Sequence, residues 1–204
     1  MSAIRGGQPQ ITIEPEPPGV VGANVRVGVR LLASAVIFLF MSFTFAFWYL
    51  RALNSNHDFH PSNVNPPQSY GIAMLVIVLL TAGVFRRARN ELAGDREQFW
   101  RSTALGALAL GAIVVILQIL EYLDLSWRTA SGGFASVFWG WTLVFLLTWL
   151  GAIYWIETLV AQTIRNTSDG DAKVPVSAAD GCIVYLYTLA FVEVVGYVFL
   201  YLIK

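Results

Sequence analysis

The sequence predicts an all-α membrane protein, a bundle of five transmembrane helices. Only 13% of its 204 residues are charged and 56% are apolar, whereas a soluble domain carries about 25% charged residues. The mean hydropathy is +0.62, and the apolar residues are gathered into five separate segments. Because lipid provides no hydrogen-bond partners for the backbone, apolar segments long enough to cross a bilayer do so as helices.

The chain divides into a polar N-terminal tail and an apolar domain. Residues 1–29 contain four prolines and no long apolar run, so we expect a disordered cytoplasmic tail. Residues 30–204 form the expected five-helix transmembrane domain. At about 1.5 Å per residue, all but the second span comfortably cover a hydrocarbon core of about 30 Å, and the second must borrow flanking residues. The spans are predicted at about residues 31–50, 70–85, 103–123, 134–160 and 182–203.

The basic residues predict the orientation of the bundle, since Lys and Arg in short loops remain on the cytoplasmic side. Ten of them lie on the side of the N-terminus: Arg5, Arg26, Arg30, Arg86, Arg87, Arg89, Arg96, Arg101, Arg165 and Lys173. Three lie on the other side: Arg51, Arg128 and Lys204. We therefore expect an inside N-terminus and an outside C-terminus. Aromatic residues at the headgroup level are expected near the span ends: Trp48, Tyr49, Tyr70, Trp100, Trp127 and Tyr201.

The composition excludes several classes of function. The formal net charge is zero, so nothing indicates binding to nucleic acid. A single cysteine, Cys182, excludes a multi-cysteine cluster within the chain. Both histidines lie outside the predicted spans, and we therefore expect no bound haem. His57, Asp58 and His60 could together hold a metal ion, but a solvated loop is the preferred interpretation.

Carboxylates within the spans are a more specific signal, because an ionised acid is costly in the bilayer. Glu121 lies at the outer end of the third span. Glu193 lies near the middle of the last span, where it is either a proton or lipid-headgroup site or a protonated acid bonded to a neighbouring helix. Glu157 lies about one turn from the inner end of the fourth span, and we expect it to pair with Arg30 or Arg165.

Small residues in the third span predict close helix packing. Thr103, Ala107 and Gly111 recur at intervals of four. This spacing places them on one face of a helix, and small side chains there allow a neighbouring backbone to approach. We expect this face to contact another helix.

Two stretches of the sequence resemble subunit III of the haem-copper terminal oxidases. They read LQILEYLDL and FASVFWGW. The family typically shows Gln-x-x-Glu followed by an aromatic residue, then a turn, then a helix that begins Gly-Ser-x-Phe-aromatic. Five spans, an inside N-terminus and about 200 residues resemble the shorter bacterial form of this subunit. The matching residues are Gln118, Glu121, Tyr122, Ser136, Phe138 and Trp139.

The chain departs from the family at polar positions within the membrane. Ala35 stands where the family usually has a glutamate, and Phe145 and Thr148 stand where it has two histidines. Ala190 replaces a further histidine, and only the final acid is kept, as Glu193 in place of an aspartate. If the family's proton or lipid role persists in this chain, Glu193 is the residue that would carry it.

The resemblance implies a non-catalytic accessory subunit of a cytochrome c or quinol oxidase in aerobic respiration. Such a subunit packs beside catalytic subunit I, and possibly subunit II, and supports assembly, lipid retention and stable turnover. It implies that haem and copper lie in the partner, that phospholipid is bound, and that the location is the bacterial inner membrane. Gln118, Glu121 and Tyr122 would tie together the outer ends of helices.

Three alternatives remain open at this stage. The chain could be an accessory subunit beside a nitric oxide reductase, since such subunits share the five-helix pattern. It could be a small self-contained transporter, although no predicted span contains a proline and few polar groups lie at mid-membrane. It could also be a purely structural membrane protein.

Overall fold

The computed structural model describes residues 17–54, 59–169 and 175–203 and contains five long helices in that part of the chain. All five are long and apolar enough to cross a membrane, which confirms the predicted fold class. No strand occurs among the described residues. The helices are α1 (Pro18–Ala52), α2 (Gln68–Ala93), α3 (Glu97–Asp124), α4 (Gly133–Asp169) and α5 (Val176–Tyr197), and α5 continues into a π-helical segment at Val198–Ile203.

The first helix begins well before the predicted span, so the expected tail boundary at residue 29 is wrong. α1 starts at Pro18, and proline suits the first position of a helix because that position needs no amide donor. The additional turns are held by packing against α5. Val29 is buried, and a Cβ placed on Gly181 would lie 2.9 Å from Val29 and 3.3 Å from Val25. The rest of the expected tail lies outside the described residues.

Other helices also extend beyond the predicted spans at the expected inner end of the bundle. α2 ends at Ala93, α4 ends at Asp169 and α5 begins at Val176. Charged side chains on these extra turns connect the helices. Arg89 Nε on α2 lies 2.5 Å from Asp180 Oδ1 on α5. This ion pair joins α2 to α5 beyond their apolar stretches.

The five helices form a ring around an aromatic interior. Going round the ring, the order is α1, α5, α2, α3 and α4, and α4 also contacts α5 across it. Large rings fill the interior, and Trp100, Trp141 and Trp149 are each at most 2% exposed. The small-residue face of α3 lies between α2 and α4, since Thr103 Oγ1 donates to Glu91 at 2.6 Å. Trp149 Nε1 on α4 donates to the Gly111 carbonyl at 3.0 Å, and Ala107 between them is fully buried.

The loop between α1 and α2 packs over one end of the ring, which differs from the solvated loop expected from the sequence. Phe59 and Val64 are buried, and the amide of Phe134 donates to the Phe59 carbonyl at 2.8 Å. The His60 ring lies edge-on to Phe134 at 4.6 Å. His57 and Asp58 lie outside the described residues, among which no group of three metal-ligating side chains occurs. Apolar rings therefore seal this end of the bundle.

Candidate functional site

A buried carboxyl group joins α3 to α5 at the end of the bundle that we expect to face outward. Glu121 is 0% exposed. Its Oε1 accepts a hydrogen bond from the Tyr201 hydroxyl at 2.5 Å, and its Oε2 accepts one from Gln118 Nε2 at 2.8 Å. Gln118 lies one turn before Glu121 on α3, so the two side chains share a helix face. The carboxyl group thus has two donors, one from each of two helices.

The π-helical segment of α5 and a close backbone approach place Tyr201. A π-helical turn widens the helix, and such turns are frequent at functional sites. The Tyr201 carbonyl accepts from Gln68 Nε2 of α2 at 3.2 Å. A Cβ placed on Gly71 would lie 2.7 Å from the Tyr201 ring, so only glycine leaves room for that ring. The Phe138 ring of α4 lies edge-on to it at 6.0 Å.

The other residues of the sequence motif lie around this cluster in different roles. Tyr122 stacks on Trp139 at 4.7 Å and so joins α3 to α4. Phe138 is buried and also contacts the ring of Trp127 at 5.1 Å. Ser136 is exposed, and its hydroxyl donates to the carbonyl oxygens of the preceding turn. The motif therefore combines a buried hydrogen-bonded pair, an aromatic contact and a polar helix start.

Sequence reasoning missed the role of Tyr201. The sequence suggested a position at the headgroup level, but Tyr201 is 3% exposed and donates to Glu121. Trp100 and Trp127 are likewise buried rather than at the surface, and Trp100 Nε1 donates to Thr163 Oγ1 at 2.9 Å. A position near the end of a span does not distinguish an outward ring from an inward one. The acid Glu121 at the end of the third span was the one signal that a buried donor was needed.

Glu193 lies on α5, two turns before Tyr201, and is 8% exposed. It lines a small cavity of about 10 Å³. Gln118 and Tyr201 line the same cavity, so Glu193 lies beside the groups that hold Glu121. The other lining residues are Met74, Trp141, Thr142, Phe145, Gly196, Tyr197 and Leu200.

The expected ion pair of Glu157 is wrong. Glu157 is exposed on the outer side of α4, and within the described ranges it pairs with neither Arg30 nor Arg165. Arg30 lies instead on the side of α1 that faces α5. The pairs present in the described part join Arg87 to Glu91 and Arg89 to Asp180.

Three of the four positions where the chain departs from the family pattern make contacts within the bundle, and the fourth, Ala35, is exposed on α1. Ala190 is buried. Phe145 is 2% exposed and stacks on Trp149 at 5.9 Å. The Thr148 hydroxyl donates to carbonyl oxygens of its own helix. Apolar contacts and local hydrogen bonds therefore account for Phe145, Thr148 and Ala190.

A second candidate site lies along the surface between α1 and α5, which we call the α1–α5 groove. Its larger cavity has a volume of about 180 Å³ and is lined by Arg26, Val29, Arg30, Asp180, Gly181 and Val184. Both arginines are exposed, and neither has an acidic partner among the residues described. Asp180 is already paired with Arg89. The groove thus has uncompensated positive charge at this end.

A second cavity of about 40 Å³, largely apolar, lies farther along the α1–α5 groove, toward the C-terminal ends of both helices. Arg26 and Ile37, and likewise Arg30 and Met41, are eleven residues apart, which is about three helical turns. The same interval separates Val184 from Val195 on α5. The two cavities therefore lie on the same side of the groove, about 16 Å apart. The second cavity is lined by Ile37, Phe40, Met41, Thr44, Trp141, Phe191, Val192 and Val195.

The chain is similar to cytochrome c oxidase subunit 3 from several vertebrates. It is 27% identical to the Mus musculus protein over 125 residues, which is 58% of this chain and 48% of that protein. It is 26% identical to the Ornithorhynchus anatinus protein over 154 residues, or 72% of this chain and 59% of that protein. The chain spans about half the length of these relatives. No family model matches it, so the similarity supports a subunit III-like relationship on these pairwise matches.

Replacing Tyr201 by Phe tests the bond between α5 and α3. The variant keeps the ring and removes the donor to Glu121, so we expect a loss of about 1–2 kcal/mol of stability. Tyr187→Phe is the matched control, because Tyr187 also lies on α5 and its exposed hydroxyl only accepts a 3.4 Å contact from Arg86 of α2. Thermal unfolding in mild detergent measures both. Equal melting temperatures for the two variants would contradict the assignment.

Replacing Gly71 by Ala tests the close approach of the Tyr201 ring. The added methyl group overlaps the ring, and such overpacking typically costs about 1–3 kcal/mol. The control on the same helix is Gly83→Ala, where a Cβ meets nothing within 4 Å and the change should stabilise the helix by about 0.5–1 kcal/mol. The unfolding midpoints in detergent are compared. A Gly71→Ala variant as stable as Gly83→Ala would show that the ring is not confined there.

Proposed function

We propose that this chain is a non-catalytic, subunit III-like accessory subunit of a haem-copper terminal oxidase. The observation that carries the proposal is that the residues of the sequence motif form a buried hydrogen-bonded contact in the structure. The motif Gln-x-x-Glu, on which the resemblance rests, contains Gln118 and Glu121. In the structure, Gln118 and Tyr201 both donate hydrogen bonds to the buried carboxyl group of Glu121. The similarity to subunit 3 of cytochrome c oxidase supports the same assignment.

The role of the chain in this proposal is to bind and stabilise a catalytic partner. The outward faces of the helices are strongly apolar, and on α1 both Phe38 and Phe45 are 70% exposed. Part of this surface would cover subunit I, with subunit II as a further candidate partner, while the rest would contact lipid. Haem and copper would lie in the partner, because the two histidines of this chain both fall between α1 and α2. We further infer a bacterial inner-membrane location with an inside N-terminus.

Lipid retention is the second part of the proposed role, and the α1–α5 groove supports it. Arg26 and Arg30 offer guanidinium groups to a headgroup phosphate, for which arginine is well suited. The apolar cavity lies about 16 Å farther along the groove, which is close to half of a hydrocarbon core of about 30 Å. A phospholipid with its phosphate at the arginines would therefore reach this cavity with an acyl chain.

Copurification tests the accessory-subunit proposal. The full chain, tagged at its N-terminus, is extracted in mild detergent from its own membranes, and the visible spectrum and protein composition are recorded. We expect haem bands and a large multi-histidine membrane subunit to accompany it. Glu121→Gln should lower the yield of this complex severalfold, because it weakens the contact between α3 and α5, whereas the exposed Glu157→Gln should not.

The same experiment separates the alternatives. Oxygen consumption by the purified complex supports a terminal oxidase. Nitric oxide consumption would assign the chain to a nitric oxide reductase, for which the loss of the family's acid and histidines at Ala35, Phe145, Thr148 and Ala190 argues. A chain that emerges alone and colourless under gentle conditions would overturn both assignments. Solute movement by that chain in liposomes would then indicate a transporter.

Removing the positive charge of the α1–α5 groove tests lipid retention. The double variant Arg26→Gln, Arg30→Gln loses two charge-assisted hydrogen bonds to phosphate, and since about 1.4 kcal/mol is a factor of ten, we expect at least tenfold weaker binding. Native mass spectrometry counts the phospholipids retained. Arg96→Gln, Arg165→Gln is the control, because it removes the same charge from exposed positions outside the groove. Equal retention in both double variants would contradict the site.

A further inference from the structure

The small cavity beside Glu193 contains a buried donor that has no acceptor within the described chain. Trp141 is 2% exposed, and its indole Nε1 is buried without a hydrogen-bond partner. The ring lines the cavity. A Cβ placed on Gly196 would lie 2.5 Å from Nε1, so the nitrogen lies directly against α5, one turn beyond Glu193. Buried N–H groups in native proteins nearly always have a partner, and this one requires an explanation.

The walls of the cavity provide suitable acceptors. Glu193 presents its carboxyl group, and no hydrogen bond to another described side chain occupies it. Gln118 donates to Glu121 through Nε2, so its side-chain carbonyl remains available as an acceptor. The polar groups therefore surround the cavity from α3, α4 and α5.

The size of the cavity determines what can occupy it. Its volume is about 10 Å³, which is near the lower limit for one water molecule in a polar site. A buried water typically makes about three hydrogen bonds. Here it would accept from Trp141 Nε1 and donate to Glu193 and to the Gln118 side-chain carbonyl. An organic ligand would not fit.

We propose that this cavity holds one ordered water molecule that bridges Trp141 Nε1 to Glu193 and Gln118. The bridge completes a hydrogen-bonded chain from Glu193 through water and Gln118 to Glu121 and Tyr201. Two acids on different helices, Glu121 and Glu193, thereby belong to one buried network. Gly196 permits this arrangement, because any side chain there would displace the indole ring. The inference does not depend on the proposed function.

Direct observation of the water is the first test. A structure of the full chain in a lipid nanodisc, at a resolution that shows ordered solvent, should contain a density peak within hydrogen-bond distance of Trp141 Nε1 and a Glu193 carboxyl oxygen. A dry cavity would overturn the proposal, and so would a water that contacts Trp141 but not Glu193. This measurement uses the unaltered protein and therefore does not depend on whether a variant folds.

A spectroscopic test compares Trp141 with Trp139, whose indole nitrogens are both buried. Trp139 Nε1 is also buried without a partner, but Trp139 does not line the cavity. The infrared carboxyl band of Glu193 is assigned by its loss in Glu193→Gln. We expect Trp141→Phe to shift this band, because the water loses its donor, and Trp139→Phe to leave it in place. A band that Trp141→Phe leaves unchanged, or that both variants shift equally, would contradict the bridge.

Discussion

The hydrogen bond from Tyr201 to Glu121 is the contact on which this end of the bundle depends. An acid with no exposed surface is expensive in a low-dielectric interior unless donors face it, and here one donor comes from α3 and one from α5. Tyr201 can reach the acid because α5 ends in a π-helical segment and because Gly71 of α2 leaves room for the ring. Three helices are thus positioned by one polar contact that lipid cannot replace.

The two ends of the bundle are held by different physical means. At the end with Glu121, rings and short hydrogen bonds are fully enclosed, and the packed loop around Phe59 covers them. At the opposite end, the ion pair of Arg89 and Asp180 is partly exposed, and exposed ion pairs contribute little stability. At that end, Arg26 and Arg30 have no acidic partner among the residues that the structure describes. The bundle therefore has one enclosed end and one open, charged end.

Part of the candidate site could be predicted from the sequence, and the reason is chemical. Gln118 and Glu121 stand out because polar residues are rare in apolar segments and seldom occur there without a partner. Tyr201 could not be assigned in the same way, since an aromatic residue near a span end fits either an interface or an interior position. The prediction of an ion pair for Glu157 was wrong, because the charge of a residue and its position in the sequence do not show which side of its helix faces another helix. Arg26 was expected in the tail, yet it lies on α1, whose first turns pack against α5 through Val25 and Val29.

The sequence by itself determined that the chain forms five apolar helices, because their length and hydropathy leave no other way to satisfy the backbone in lipid. It also indicated that Glu121, an acid in an apolar span, needs a partner. The tertiary structure was needed to identify Tyr201 as a partner of Glu121. It was also needed to show that α5 contacts α1, α2 and α4 and that two cavities lie along the α1–α5 groove. These features depend on the rotation and register of each helix. Rotation and register follow from contacts among distant residues, such as Gly196 with Trp141, and no local pattern encodes them.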